Sequence, residues 1–132
     1  MIKNPGESGF DLADTFIHLS DGGSAESIPV DDEFWEKIGS RKELHEGRLM
    51  GAFRVSEDPS HWEMHPEGDE ILYLVSGSMD VILREQNEER VVALRNSGVC
   101  VVPRGTWHRQ VVHGPCEFVF ITPGKGTQHR SI

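Results

Sequence analysis

Four candidate donors, His61, Glu63, His65 and Glu70, lie in one short stretch of the chain, His61-Trp62-Glu63-Met64-His65-Pro66-Glu67-Gly68-Asp69-Glu70. In an extended strand, side chains at i, i+2 and i+4 share a face, so His61, Glu63 and His65 are expected to point the same way. Glu70 follows a turn containing Pro66 and Gly68, and such a hairpin returns it opposite His65. Imidazole nitrogens and carboxylate oxygens on facing strands can chelate a divalent ion. A lone histidine would read as a solvated strand end. Here His61, Glu63, His65 and Glu70 fall within ten residues, and His108 follows a second Pro-x-Gly turn far downstream.

The elements that must position these residues are strands. Arg48–Val55, 71–75, 79–84, 90–94, Val99–Val102, Trp107–Val112 and 117–121 are short runs rich in Val, Ile, Leu, Phe and Tyr. Glu57-Asp58-Pro59-Ser60, Gly77-Ser78, Glu85-Gln86-Asn87, Asn96-Ser97-Gly98, Pro103-Arg104-Gly105 and Gly114-Pro115 separate them with turn chemistry. This rhythm predicts an all-β barrel or sandwich, and the lack of helical periodicity between strands excludes a parallel βαβ sheet. Gly77 suits a tight turn and Gly98 and Gly105 bracket the turn around Pro103, so these glycines are read as makers of the fold.

Before residue 48 the pattern changes. Segments 16–19 and 27–30 read as edge strands, and 32–38 as one or two helical turns capped by Asp31 or Asp32. The expected organisation is an N-terminal extension over 1–47, a barrel core over 48–123 and a polar, loosely held tail over 124–132.

Around the donors the chain resembles the cupin superfamily. The first cupin motif runs His-x-His, three or four residues, Glu, six residues, Gly; this chain has Glu63-x-His65, four residues, Glu70, six residues and Gly77. The second runs Gly, about five residues, Pro-x-Gly-x-x-His; this chain has Gly98, four residues, then Pro103-Arg104-Gly105-Thr106-Trp107-His108. The resemblance, from about Arg48 to Ile121, implies a single double-stranded β-helix, or jelly-roll, barrel with a short, partly helical N-terminal segment. It also implies a metal held by His65, Glu70 and His108. Glu63 stands where the family has its first histidine, and Val112 stands where an Asn often follows the second motif. Two histidines and a carboxylate resemble the facial triad of non-haem iron sites, while manganese, nickel and zinc suit the same donors. Glu63 is expected as a fourth ligand or as a catalytic acid/base group, with His61 as an alternative ligand or a marker of the mouth.

The expected function is metal-dependent chemistry on a small polar molecule, of an oxidoreductase, isomerase or lyase type. The alternatives are a cupin that binds a sugar or other small ligand without turnover, and a structural dimer with no ligand. Thirteen basic residues against twenty-two acidic give a charge of −9, which argues against nucleic acid as a partner. No apolar run reaches the ~20 residues of a membrane helix. No glycine loop leads into a helix, so neither NAD nor ATP is expected.

Met1–Phe10 lacks a basic-then-apolar leader pattern, so a cytoplasmic location and two reduced, buried thiols at Cys100 and Cys116 are expected. A homodimer is expected from the apolar residues Phe16, Ile17, Ile28, Val30, Phe34 and Trp35, more than a small barrel needs. Arg54 is read as outward and solvated, Tyr73, Trp62 and Trp107 as packing aromatics, and His113 as facing away from the site. His18, His45 and His129 are read as surface residues.

Overall fold

The computed structural model describes residue 6 and residues 8–132. Met1–Pro5 and Glu7, part of the segment read for a leader, lie outside the described residues. Strands account for 51% of the described residues and helical turns for 8%, so the described chain is mostly β with one short α-helix.

Eleven strands form two antiparallel sheets among the described residues. The first sheet runs β2 (Ala25–Pro29), β1 (Thr15–Leu19), β3 (Arg48–Val55), β10 (Cys116–Thr122), β5 (Glu70–Ser76) and β8 (Val99–Val102). The second runs β11 (Gln128–Ser131), β4 (His61–Met64), β9 (Trp107–Val112), β6 (Met79–Glu85) and β7 (Glu88–Leu94). Every segment read as a strand is one, with ends moved by a residue or two, which is where strand limits are least defined by sequence.

Period-two alternation fills the space between the sheets. In β5, Leu72 and Leu74 are buried while Ile71 and Tyr73 are half-buried; in β10, Phe118 and Phe120 alternate with Glu117 and Val119 in the same way. Leu72, Leu74, Met79, Val81, Leu83 and Val102 make the centre of this core. Cys100 and Cys116 are free and buried, and burial pushes both thiols up. Gly77 has φ of +95°, and a Cβ there would lie 2.6 Å from Cys116 Cβ, so this turn requires glycine. The β6–β7 hairpin is closed by Gln86 and Asn87, both at positive φ, as a two-residue turn matched to strand twist demands.

The segment before β3 adds β2 and β1 to the edge of the first sheet and packs its aromatics against that sheet. Phe16 packs edge-on against Phe34 and Phe120, with centroids 5.3 Å apart in each pair, and Trp35 stacks on Phe53 at 5.9 Å. The helix α1 covers only Phe34–Lys37 and is followed by two 3₁₀ turns. Its N-cap is Glu33, not the expected Asp31 or Asp32, and no side chain caps it; the Asp31 carboxylate accepts instead from the Glu33 amide at 3.0 Å, one residue ahead of the helix. Phe16, Ile28 and Phe34 are thus spent in this chain's own core, which removes the argument that they await a second subunit; Trp35 remains half exposed.

Two further expectations are corrected. The polar tail is not loose throughout: residues 128–131 form β11, laddered on β4. His18 is buried, not on the surface, and its Nε2 lies 2.6 Å from the Glu46 carbonyl, which satisfies it.

Candidate metal centre

The two sheets bring their donors face to face. In the second sheet a single cross-strand row runs His129 (β11), Glu63 (β4), His108 (β9) and Leu83 (β6). Residues opposite one another in an antiparallel ladder share a face, and Leu83 is buried, so this face looks into the barrel. Glu70 opens β5 in the first sheet, paired with Val102. His65 lies just past the end of β4, where the chain turns at Pro66.

Backbone bonds lock the two motif turns together. The Gly105 amide donates to the His65 carbonyl at 2.9 Å, and the Arg104 amide donates to the Asp69 carboxylate at 2.8 Å. The second Pro-x-Gly turn is therefore anchored to the loop that carries His65 and Glu70.

His65, Glu70 and His108 are 3%, 4% and 1% exposed, and one donor atom from each lies within 4.8 Å of the others. His108 Nε2 is 2.9 Å from Glu70 Oε1, and His65 Nε2 is 3.3 Å from Glu70 Oε2. These contacts are close but poorly aimed: His65 Nε2, Glu70 Oε1 and His108 Nε2 all lack a hydrogen bond. Buried polar atoms without partners are costly. Two donors held by one ion at about 2.1 Å in a tetrahedral shell sit roughly 3.4 Å apart; the 3.3 Å separation matches that spacing, while the 2.9 Å one is as short as a hydrogen bond, so the missing hydrogen-bond geometry and not the distance favours a shared cation.

The outer atoms of each donor are fixed. His108 Nδ1 lies 3.1 Å from the Thr106 carbonyl, which can only accept, so Nδ1 carries a proton, and the ring in its neutral form presents its Nε2 lone pair inward. His65 Nδ1 bonds to Thr127 Oγ1 at 2.8 Å, and the Thr122 hydroxyl donates to Glu70 Oε2 at 2.5 Å. Burial works to raise the Glu70 carboxyl, but the flanking imidazoles of His108 and His65 outweigh it and hold it at about 2. Burial likewise works to lower His108, and the Glu70 carboxylate overrides it, leaving the imidazole raised.

Glu63 stands at the solvent side of this group. Its side chain is 32% exposed, with Oε2 3.6 Å from His65 Nε2 and Oε1 3.1 Å from His61 Nε2. No Arg or Lys pairs with it among the described residues. Arg54 points outward and pairs with Asp11 and Glu117. His113 pairs with Asp80 at 2.9 Å on the exterior, and His45 bonds to the Ile38 carbonyl. Trp62 is packed beneath Arg84 and Arg109, and Trp107 lies under Arg130. Thr122 and Thr127 escaped the sequence reading, because a threonine beside Pro123 or Gly126 carries no spacing signal of its own.

No family model and no curated protein matches the sequence. Solved structures do resemble the fold. A cupin-2 domain protein from Shewanella frigidimarina aligns at 20% identity over 58% of this chain and 70% of its own, with a TM-score of 0.50. Oxalate oxidase, solved with the substrate analogue glycolate, aligns at 20% identity over 62% of this chain and 44% of its own, with a TM-score of 0.52. Peruvianin-I, a cysteine peptidase from Thevetia peruviana latex, aligns at 16% identity over 65% and 57%, with a TM-score of 0.55. The chain spans less than half of the oxalate oxidase. The fold of this chain is that of the cupins. A peptidase among such neighbours shows why the fold alone names no reaction. Among the described residues no helix is long and apolar enough to cross a membrane.

Proposed function

We propose that the chain is a metal-binding cupin acting on a small, polar, oxygen-rich molecule, with a divalent ion held by His65, Glu70 and His108. The observation that carries this reading is that three buried donor atoms, one each from His65, Glu70 and His108, lie within 4.8 Å of one another, while His65 Nε2, Glu70 Oε1 and His108 Nε2 make no hydrogen bond. Iron, manganese, nickel and zinc all suit two imidazoles and a carboxylate. When bound, such an ion supplies Lewis-acid polarisation of a substrate oxygen or activation of dioxygen, the basis for an oxidation, isomerisation or lyase step.

The residues divide the remaining work. Thr106 and Thr127 fix the two rings, and Thr122 fixes Glu70, so the donors are set before anything binds. Glu63 is the acid/base group: its Oε2 faces the donors at the solvent side, where it can take or return a proton on a bound molecule. Its 3.6 Å separation from His65 Nε2 also suits a fourth ligand.

Glu63→Gln separates these roles. It is expected to retain the ion and lose turnover on an identified substrate. Loss of the inner ion would make Glu63 a ligand, and retention of both ion and turnover would remove it from the site.

A second reading, a small-ligand or sugar-binding module without turnover, is favoured by the near-complete burial of all three inner donors. It is distinguished by a ligand that binds unchanged to native and Glu63→Gln protein and is recovered intact.

The same proposal takes 1–47 as an extension, 48–123 as the barrel and 124–132 as a tail, and places the chain in the cytoplasm with both thiols reduced. It includes a homodimer, resting on the exposed Val75, Val99 and Val101 of β5 and the edge strand β8. Light scattering at micromolar concentration is expected to give twice the chain mass; a monomer mass would refute the dimer.

A further inference from the structure

A second group of donors lies at the mouth of the barrel. His61, Glu63 and His129 each offer one donor atom within 4.8 Å of the others. His61 Nε2 is 3.1 Å from Glu63 Oε1, and the His61 and His129 rings meet edge-on with centroids 4.9 Å apart. The backbone explains this. His61 and Glu63 share a face of β4, and β11 sets His129 directly opposite Glu63.

We propose that His61, Glu63 and His129 form an outer divalent-cation site, separate from the inner donors and linked to them through Glu63. Three observations carry it. The donor set, two imidazoles and a carboxylate, suits borderline ions such as Zn²⁺. The nearest separation is close to the roughly 3.4 Å expected between two ligands of one zinc ion. Finally, the two oxygens of Glu63 face opposite ways, Oε1 to His61 and Oε2 to His65, and no Lys or Arg neutralises them among the described residues. A cation bound here replaces the proton between His61 and Glu63.

The site has a structural consequence. All four residues of β11 are exposed, so no buried side chain anchors the strand. Its ladder to β4, the His61–His129 ring contact and the stacking of Arg130 on Trp107 at 4.1 Å tie it down. An ion shared by His129 and β4 pins the strand across the barrel mouth, beside Thr127, which bonds to His65.

The test is calorimetric titration of the untagged, metal-stripped full chain with Zn²⁺, paired with amide exchange of residues 128–131. Native protein is expected to bind two equivalents, and Zn²⁺ is expected to slow exchange in β11. His129→Ala and His61→Gln should each bind one equivalent and lose that slowing. His108→Ala should lose the other equivalent and keep the slowing, so failure of the inner site and failure of the outer one read differently. Retention of the native stoichiometry in both His129→Ala and His61→Gln, or exchange in β11 that ignores Zn²⁺, overturns the proposal.

Discussion

The inner and outer groups use the same chemistry, two imidazoles and one carboxylate, in opposite surroundings. The inner donors are almost wholly buried, their far nitrogens already committed to Thr106 and Thr127. His61 and Glu63 are partly exposed, and water can satisfy them when no ion is present. The difference teaches where the chain stores a cost. An unfilled inner site leaves orphaned polar atoms in a medium of low dielectric, whereas an unfilled outer site costs little.

Breaking the inner group should therefore have the largest effect. His108→Ala leaves Glu70 buried with one flanking imidazole in place of two. Removing one partner of a buried charged pair costs about 3–5 kcal/mol, so denaturant unfolding of the metal-free variant should show a loss of that order. His61→Ala, at the exposed group, should change stability by no more than about 0.5 kcal/mol. Equal losses in the two variants would erase the comparison.

Acidity sharpens it next. Glu70 is held at about 2, below its ordinary 4.5, so its contribution to stability is present above 4.5 and is lost as the pH falls toward 2. His108 is raised above its ordinary 6.5, so its contribution is full below 6.5 and is lost as the pH climbs through the folded value. Metal-free protein should thus be most stable between 4.5 and 6.5. Thermal melts in chelator on both sides of that window check this. Added metal should move the optimum upward, because ligation requires deprotonated imidazoles.

A smaller effect than the loss of an inner donor is expected at the hydroxyls behind the donors. Thr122→Val removes the donor to Glu70 Oε2 while keeping the shape of the side chain. Loss of such a partner typically weakens metal affinity about 10- to 100-fold, and a competition titration against a chelator measures it. Unchanged affinity would mean that Thr122 does not orient Glu70.

These contrasts also mark what could be read from the sequence. Strands such as β5 and β10 announce themselves because one face is buried and the other is not, which imprints period two on Leu72, Leu74, Phe118 and Phe120. His65, Glu70 and His108 were legible because two turns with proline and glycine frame them. β11 was not legible: Gln128–Ser131 buries nothing, so its pairing with β4 rests on backbone hydrogen bonds that any sequence can make. His129 was for that reason read as a surface residue and its nearness to Glu63 went unseen. His18 was misread because the backbone carbonyl of Glu46 that satisfies it leaves no side-chain signature. The apolar excess before residue 48 was noticed, but composition could not tell packing on the same barrel from a subunit interface.

The central claim is that His65, Glu70 and His108 hold a metal ion, and metal binding in single-donor variants tests it most directly. Native, untagged protein and its His65→Ala and His108→Ala variants would be titrated with Co²⁺ and followed by the ion's visible absorption, with circular dichroism confirming that each is folded. Each variant is predicted to lose one equivalent relative to native protein. Unchanged binding in both would contradict the account.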